Sequence, residues 1–461
     1  MQVILATQSI IVSSHPEGRA KLEKGSAMNP DHERRKKVVI AGFLWGAMAV
    51  SYMIRYALGI VAPTLMSLYN LSPTTMGYVL SGWNWSYTGS MLFVGPVIDR
   101  FGPWIVMGGS SLIWGIATLA LPLAGGAVSL FLLRTVFGFG QSALIPATST
   151  SISRIFGSKQ RARAVAVAYS GNQVGLVVSA IVSAFLLSRF GWQAVFYALG
   201  GGSLLLTLGW VAFYPDKRVG RFEELAAANP ARTAAGEPQG IRWISLFRYR
   251  STWGIAFGQM GYLYALFFFI SWFPGYLVLE RHMTTLRSGF VAALPFWAGM
   301  LGTLGGGWLG DFLILRGVRP TVSRKSIIGV AFATATVMVI TAAFIEQTWL
   351  AVTLLTLSVG SLRMATGSVN STSIDLAAPS IVGSLNSIQN FFGNIGGLLA
   401  PIVTGYIVGG TGSFVGAFVI AGGMALFSAI CYIFIVGDLD TQQIVPASEG
   451  ARVPLPHPRT V

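Results

Sequence analysis

The sequence predicts an all-α membrane protein of twelve transmembrane helices in two pseudo-symmetric six-helix bundles. Three observations predict it. Of 461 residues, 53% are hydrophobic and 10% charged, where a soluble domain carries about 25% charged residues. Apolar stretches of the roughly 20 residues that a span requires recur from near residue 38 to near residue 436, leaving no room for a soluble domain. The later stretches repeat landmarks of the earlier ones in the same order.

Residues 1–37 read as a cytoplasmic tail, disordered at its start. Residues 1–14 lack a basic leader and a small-residue cleavage site, so no signal peptide is read. The string MNPDHERRKK beginning at Met28 is a natural lead-in to the first span, which makes residues 1–27 an upstream extension. Apolar windows bounded by charge, Pro and Gly place spans near 38–66, 74–98, 104–124, 130–153, 163–188 and 192–213, a first bundle over 38–213. A second bundle over 251–436 has spans near 252–278, 287–310, 325–345, 350–374, 382–408 and 413–436. The linker 214–250, with LAAANPARTAAGEPQG, reads as cytoplasmic and partly an amphipathic helix on the membrane surface. The polar, Pro-containing tail 437–461 is expected to be loose. Cys431, the one cysteine, lies in the last apolar stretch as a packing residue and excludes an intramolecular disulfide.

The repeat organises the chain. Pro63 stands opposite Pro274 at an offset of 211, and Gly95 with Asp99 matches Gly307 with Asp311 at 212. Arg134, Gly138 and Gln141 have the spacing of Arg363, Gly367 and Asn370, and Gly171, Asn172 and Gly175 that of Gly393, Asn394 and Gly397. Four matches in order indicate parallel repeats about an axis along the membrane normal.

The net charge of +15 does not point to nucleic acid. Seven Lys or Arg fall in residues 1–37, four in 154–163, seven in 217–250 and four in 316–325, which are alternate loops. That is the positive-inside pattern, and it places both termini in the cytoplasm of a multi-pass inner-membrane protein.

Between the second and third spans the chain reads GPVIDRFGP, residues 95–103. Gly95 would allow close helix approach, and Asp99, with Arg100 beside it, would face a neighbouring helix N-terminus and latch one conformation. An ordinary charged turn is the bland alternative, which the matching Gly307 and Asp311 disfavour. The GxxxDRxG pattern resembles the major facilitator superfamily. The strings SGWNWSYTG (81–89), RTVFGFGQSALIPA (134–147), FFFISWFPGYLVLERHM (267–283) and NFFGNIGGLLAPIVTGYI (390–407) resemble its anion:cation symporter branch, which includes sialin and bacterial hexonate and hexuronate carriers. The resemblance covers about residues 38–436. It implies a secondary carrier of a small organic anion whose halves rock about a central site.

Charge inside the bilayer costs roughly 3 kcal/mol at its centre and marks a pathway or a partner. All sixteen acidic residues and all four histidines fall outside mid-membrane, yet Arg55 and Arg363 lie inside their spans and Arg134 near the end of its own. Arginine stays protonated and its planar fork matches a carboxylate bidentately, so the simplest partner for Arg55 and Arg363 is the transported anion. Arg134 is as well explained as a structural or rim charge on helix-end carbonyls, and Asn370, Ser371 and backbone carbonyls offer Arg363 partners too. Ser51 and Tyr52 share the face of Arg55. Gln141, Asn172, Asn370 and Asn394 offer amides to a substrate, although such amides are often interhelical glue. Tyr262, Tyr264, Trp83 and Trp297 are candidate walls, with lipid-facing or seam positions as the alternative.

The resemblance also exposes a departure. Proton-coupled members have an aspartate just before the first-span arginine and a glutamate in the fourth span, where this chain has Ile54 and Gln141. With two cations and no titratable acid, exchange of anions or electrogenic passage is favoured over proton symport, and a dianion over a monoanion. The alternatives are a proton- or cation-coupled symporter of a monocarboxylate or sugar acid, and a transport-inactive sensor. An enzyme is not expected, because the core offers no His, Asp, Glu or metal-spaced Cys. No cofactor, metal or nucleic acid is expected, and the partners are the anion and membrane lipid around a monomer.

Overall fold

The computed structural model describes residues 30–156, 158–213, 243–377, 381–439 and 444. The readings placed on residues 1–27 and on most of the linker lie outside them. The first half holds α1 (Pro30–Leu68), α2 (Pro73–Ala120), α3 (Ala127–Gln141), α4 (Leu144–Ile155), α5 (Ser158–Phe190) and α6 (Trp192–Phe213). The second holds α7 (Arg250–Leu279), α8 (Thr285–Leu315), α9 (Pro320–Ala343), α10 (Thr348–Met364), α11 (Thr366–Leu376), α12 (Val382–Thr411) and α13 (Val415–Ile430), which continues as a π turn over Cys431–Ile435.

At 48 residues α2 would reach about 72 Å if straight, more than twice a bilayer core, so it is two spans. They meet at Gly102, whose φ of 80° and ψ of 156° suit only glycine, with Pro103 next in line. Ser72 starts the helix by accepting from the Thr75 amide at 3.1 Å, and Pro73 fills the first turn. Eleven helical segments among the described residues are long and apolar enough to cross a membrane. The first limb of α2, diluted by Ser81, Asn84, Ser86 and Thr88, supplies the twelfth crossing.

Two spans read as single windows are broken. The fourth divides between Gln141 and Leu144, where Pro146 cannot donate to the Ser142 carbonyl and its ring crowds it. The tenth divides at Ala365, beside Gly367, and the Thr366 hydroxyl pairs with the Tyr262 hydroxyl at 2.7 Å. The break sets the register of the two halves: Arg363 stands two residues before it, as Gly140 does in the first half. By depth Arg363 therefore corresponds to Gly140, not to Arg134 as the spacing of the motifs suggested.

Within the first half α5 lies on α1 and α2 on α3; within the second α12 lies on α7 and α8 on α10. The repeated glycines make these seams. A Cβ on Gly171 or Gly175 would stand 2.4 or 2.3 Å from carbonyl oxygens of α1, and one on Gly396 would stand 2.1 Å from the Met260 oxygen of α7. Such close approach is how helices associate in lipid, where apolar burial alone gives little. Gly95 and Gly307 differ: nothing lies within 4 Å of where their Cβ would be, so the close approach expected of them is not made in this conformation.

The halves touch through α2 with α12, α5 with α8 and α1 with α7. A Cβ on Gly77 would meet the Pro401 oxygen at 2.5 Å, one on Gly405 the Pro73 oxygen at 2.5 Å, and one on Gly59 the Ile270 and Ser271 oxygens at 2.9 Å. Gly289 lies against Ala180 and Ala184, and the Tyr56 hydroxyl donates to the Ala292 carbonyl at 3.2 Å. These contacts lie at mid-depth and towards the end remote from the chain termini. Towards the termini the same helices expose Phe93, Val97, Val167, Leu304, Trp308 and Phe391. Among the described residues the close contacts between halves thus gather at mid-depth and at the far end, and the end that bears the termini shows none as close.

The segment after α13 is docked, not loose, as far as it is described. Lys325 donates to the carbonyls of Ile433 and Val436 at 3.0 and 2.7 Å. The Thr321 hydroxyl donates to Asp438 at 2.6 Å, and the Ile444 amide donates to the Leu376 carbonyl at 2.7 Å. Leu439 and Ile444 are buried.

Candidate functional site

Arg55 sits in the middle of α1, buried, on the face that turns towards α2 and α3. Its Nε donates to Gln141 Oε1 at 2.6 Å. The Gln141 amide nitrogen is spent on Ser51, donating to its hydroxyl at 2.7 Å and its carbonyl at 3.3 Å, which fixes the amide oxygen towards the guanidinium. Ser51 is one helical turn from Arg55, so the relay closes on a single face of α1. Three rings enclose the cation: Cζ lies 4.7 Å from the Tyr52 centroid, 4.2 Å from Trp83 and 5.0 Å from Tyr87. These rings attract the charge through their quadrupoles without neutralising it. α1 beyond Lys37, and all of α3 and α5, contain no Asp or Glu.

Arg134 stands two turns before Gln141 on α3. It is 1% exposed, and its Nε and Nη1 have no hydrogen-bond partner. Its Cβ lies beside Gly82 of α2 and its Cζ 5.0 Å from the Phe137 ring. No acceptor among the described residues takes up those two nitrogens, and at that burial the side chain is an interior charge rather than a rim one. Gln141, which holds Arg55, lies two helical turns along α3 from Arg134, so the two guanidinium groups lie in the same part of the first half. A buried guanidinium with open donors is costly in any fold and most of all in lipid, so the pair defines an anion-seeking locus.

The other sequence-derived candidates fall differently. Arg363 is half-buried on α10 with its Cγ against Gly299 of α8, and no contact joins it to Arg55 in this conformation. Asn172 is half-buried on α5, with its Oδ1 buried and unpartnered, as is the neighbouring Gln173 Oε1. Asn370 is exposed on α11. The Asn394 side chain donates to Asn390 O at 2.9 Å, while its backbone carbonyl accepts from Asn84 of the other half at 2.7 Å. Tyr262 is buried within the second half, stacked on Phe332 and bonded to Thr366. It packs that half and is not brought to Arg55. Of the latch residues, Arg100 and Asp311 are exposed, Arg100 resting near the Phe101 ring, and the Asp99 side chain lies outside the described ones. An ion pair not anticipated from sequence, Arg324 of α9 with Asp375 of α11, ties two helices at the termini end of the second half. Tyr87 was also missed; its spacing of four from Trp83 on one helix was the available signal.

Two helical bundles related by an internal repeat, meeting at one end around a buried cationic locus, define a membrane carrier. The chain belongs to the Major Facilitator Superfamily, whose pattern residues 44–401 match. It is 31% identical to the hexuronate transporter of Bacillus subtilis over 402 residues, 87% of this chain and 94% of that protein. It is 30% identical to a probable galactarate/D-glucarate transporter of Escherichia coli over 435 residues, covering 89% and 95%. In fold it is similar to an inward-facing, unoccupied bacterial homologue of the human lysosomal transporter Spinster, with a TM-score of 0.73 at 16% identity over 89% of this chain and 99% of that one. It is a multi-pass membrane transporter, not an enzyme.

Proposed function

We propose that this carrier moves a sugar acid across the bacterial inner membrane by alternating access, and that it does so by exchange of anions and not by proton symport. The observation that carries the reading is the Arg55 site: a buried guanidinium that donates to the neutral amide of Gln141 and is enclosed by three rings, with Arg134, a second buried guanidinium with two unpartnered nitrogens, two helical turns along α3 from that amide. A carboxylate satisfies both the charge and the open donors. Alternation of basic loops puts both termini in the cytoplasm, which makes the end without close contacts between halves the cytoplasmic one and this conformation inward-open.

The proximity of Arg134 revises the expected clamp. Arg55 and Arg134 form a cationic pair within the first half, and Arg363 approaches from the second half only when the cytoplasmic end closes. A dianion of the aldarate type fits two separate guanidinium groups, and a hexuronate fits one of them with its hydroxyls on Tyr52, Tyr87 and the amides. Thermal shift of the purified protein against hexuronates, aldarates, aldonates and simple dicarboxylates tests the class. Stabilisation by a sugar acid, and counterflow of the same compound in liposomes, is the expected result. Stabilisation only by compounds without a carboxylate would overturn the reading.

A further inference from the structure

Positions 83 and 84 of α2 are where the first half meets both α7 and α12 of the second. The backbone of Trp83 is held from behind by α3: a Cβ on Gly138 would stand 1.8 Å from the Trp83 oxygen, and the Ser86 hydroxyl donates to the Thr135 carbonyl at 2.5 Å. The indole ring points the other way and is shared between two neighbours. Arg55 Cζ lies 4.2 Å from its centroid, and the Phe267 ring of α7 lies 5.7 Å away, tilted by 31°. Phe267 is backed by α12, where a Cβ on Gly397 would meet its Cδ2 at 2.8 Å. One residue along α2, Asn84 makes its hydrogen bond to the Asn394 carbonyl across the same seam.

We propose that Trp83 is a positioning residue that couples occupancy of the Arg55 site to closure of the far end of the molecule. The inference rests on the reading of Arg55 as the anion's ligand. A guanidinium over an indole face is held by the ring quadrupole, and an anion that takes the guanidinium bidentately competes for the same charge. The same ring is packed on Phe267, so what loosens Arg55 from Trp83 also alters the contact that holds α7 to α2. Occupied and empty carriers then differ in how firmly the far end is closed, which is the differential interaction that any ligand-driven change of conformation requires. Arg55 does not need Trp83 to stay in place: it keeps Gln141 as its acceptor and Tyr52 and Tyr87 as neighbouring rings.

The test uses Ser271→Cys as reporter, on α7 where its backbone packs against Gly59 in the closed seam and where Ser271 is 7% exposed. The native Cys431 is fully buried and stays silent to a polar maleimide. Labelling is followed in lipid nanodiscs with and without D-galacturonate and galactarate, whichever binds the parent. In the parent the anion should change the labelling rate by about threefold or more. In Phe267→Leu, which lies outside the Arg55 site, the ratio should collapse to near one while Kd stays within about threefold; Trp83→Leu should lose the ratio as well, and Trp83→Tyr should retain it. An anion-independent rate in the parent, or a full response in Trp83→Leu, overturns the coupling. So does loss of binding in Trp83→Leu with the ratio intact in Phe267→Leu, which would make Trp83 a wall of the site and no more. Arg55→Gln separates the two readings: unchanged binding there overturns the site itself, whereas a failed Trp83 test beside a non-binding Arg55→Gln overturns the coupling alone.

Discussion

Among the described residues no carboxylate pairs with Arg55, and its acceptor, Gln141, is neutral and already engaged with Ser51. Replacement by Lys keeps the charge and loses the fork, so binding of the sugar acid should weaken by about tenfold or more; Arg55→Gln should abolish it. Isothermal titration checks both. Arg134 gives a different signature, because it is buried with two open donors. Arg134→Met removes an unpaired interior charge, so the melting temperature should rise by a few degrees while anion binding falls by about tenfold. Gln141→Glu places a titratable acceptor on Arg55. Anion binding should then fall as pH rises and that carboxyl ionises, where the parent shows no such dependence above the pKa of the substrate. Arg55 was legible in the sequence because no acid exists at its depth in any neighbouring span. The role of Arg134 was not, because sequence tells depth but not whether a carbonyl stands within reach of each nitrogen.

At the scale of the helix, the apolar windows located the crossings to within a few residues, whereas the close approach expected of Gly95 is not made and the seams fall on Gly171 and Gly175, which were read only for the spacing they share with Gly393 and Gly397. What the windows could not show was the break after Gln141 and the break at Ala365, because apolar content continues through both while the hydrogen-bond ladder does not. The register error for Arg363 followed from this: a spacing of three and four residues repeats along a helix, and only the break fixes which repeat is the right one. The glycines of the far-end seam make a prediction of their own. Gly77 and Gly405 each face a carbonyl at a distance no Cβ tolerates, so Gly77→Val or Gly405→Val cannot close the far end as seen here. Both variants should hold the carrier with that end open, label rapidly at Ser271→Cys, and lose exchange by about tenfold or more while still binding the anion.

Across the whole molecule, the two ends carry different fastenings. The far end is shut by glycine contacts between halves, whereas towards the termini Arg100 and Asp311 are exposed and nothing lies within 4 Å of where a Cβ on Gly95 or Gly307 would be. A latch that belongs to the opposite conformation is expected to be disengaged here. The energetics of the cycle follow from the same census of charge. The N-terminal half presents two interior guanidinium groups and no interior acid, so an empty carrier that swings from one face to the other takes uncompensated positive charge with it, while a loaded one does not. Part of the membrane potential then acts on the empty return, and a full elementary charge crossing 100 mV is worth about 2.3 kcal/mol. Return without substrate should be slow and voltage-dependent, and return with substrate fast. The measurement loads liposomes with unlabelled sugar acid, clamps the voltage at zero, and follows entry of label without a proton gradient. Internal substrate should stimulate entry by about tenfold, and an outside-acid gradient should add little. In empty liposomes, entry should rise when the voltage is set to favour return of the cationic site. Accumulation driven by a proton gradient alone into empty liposomes would sink the exchange reading. It would mean that a titrating group outside the Arg55 locus carries the coupling.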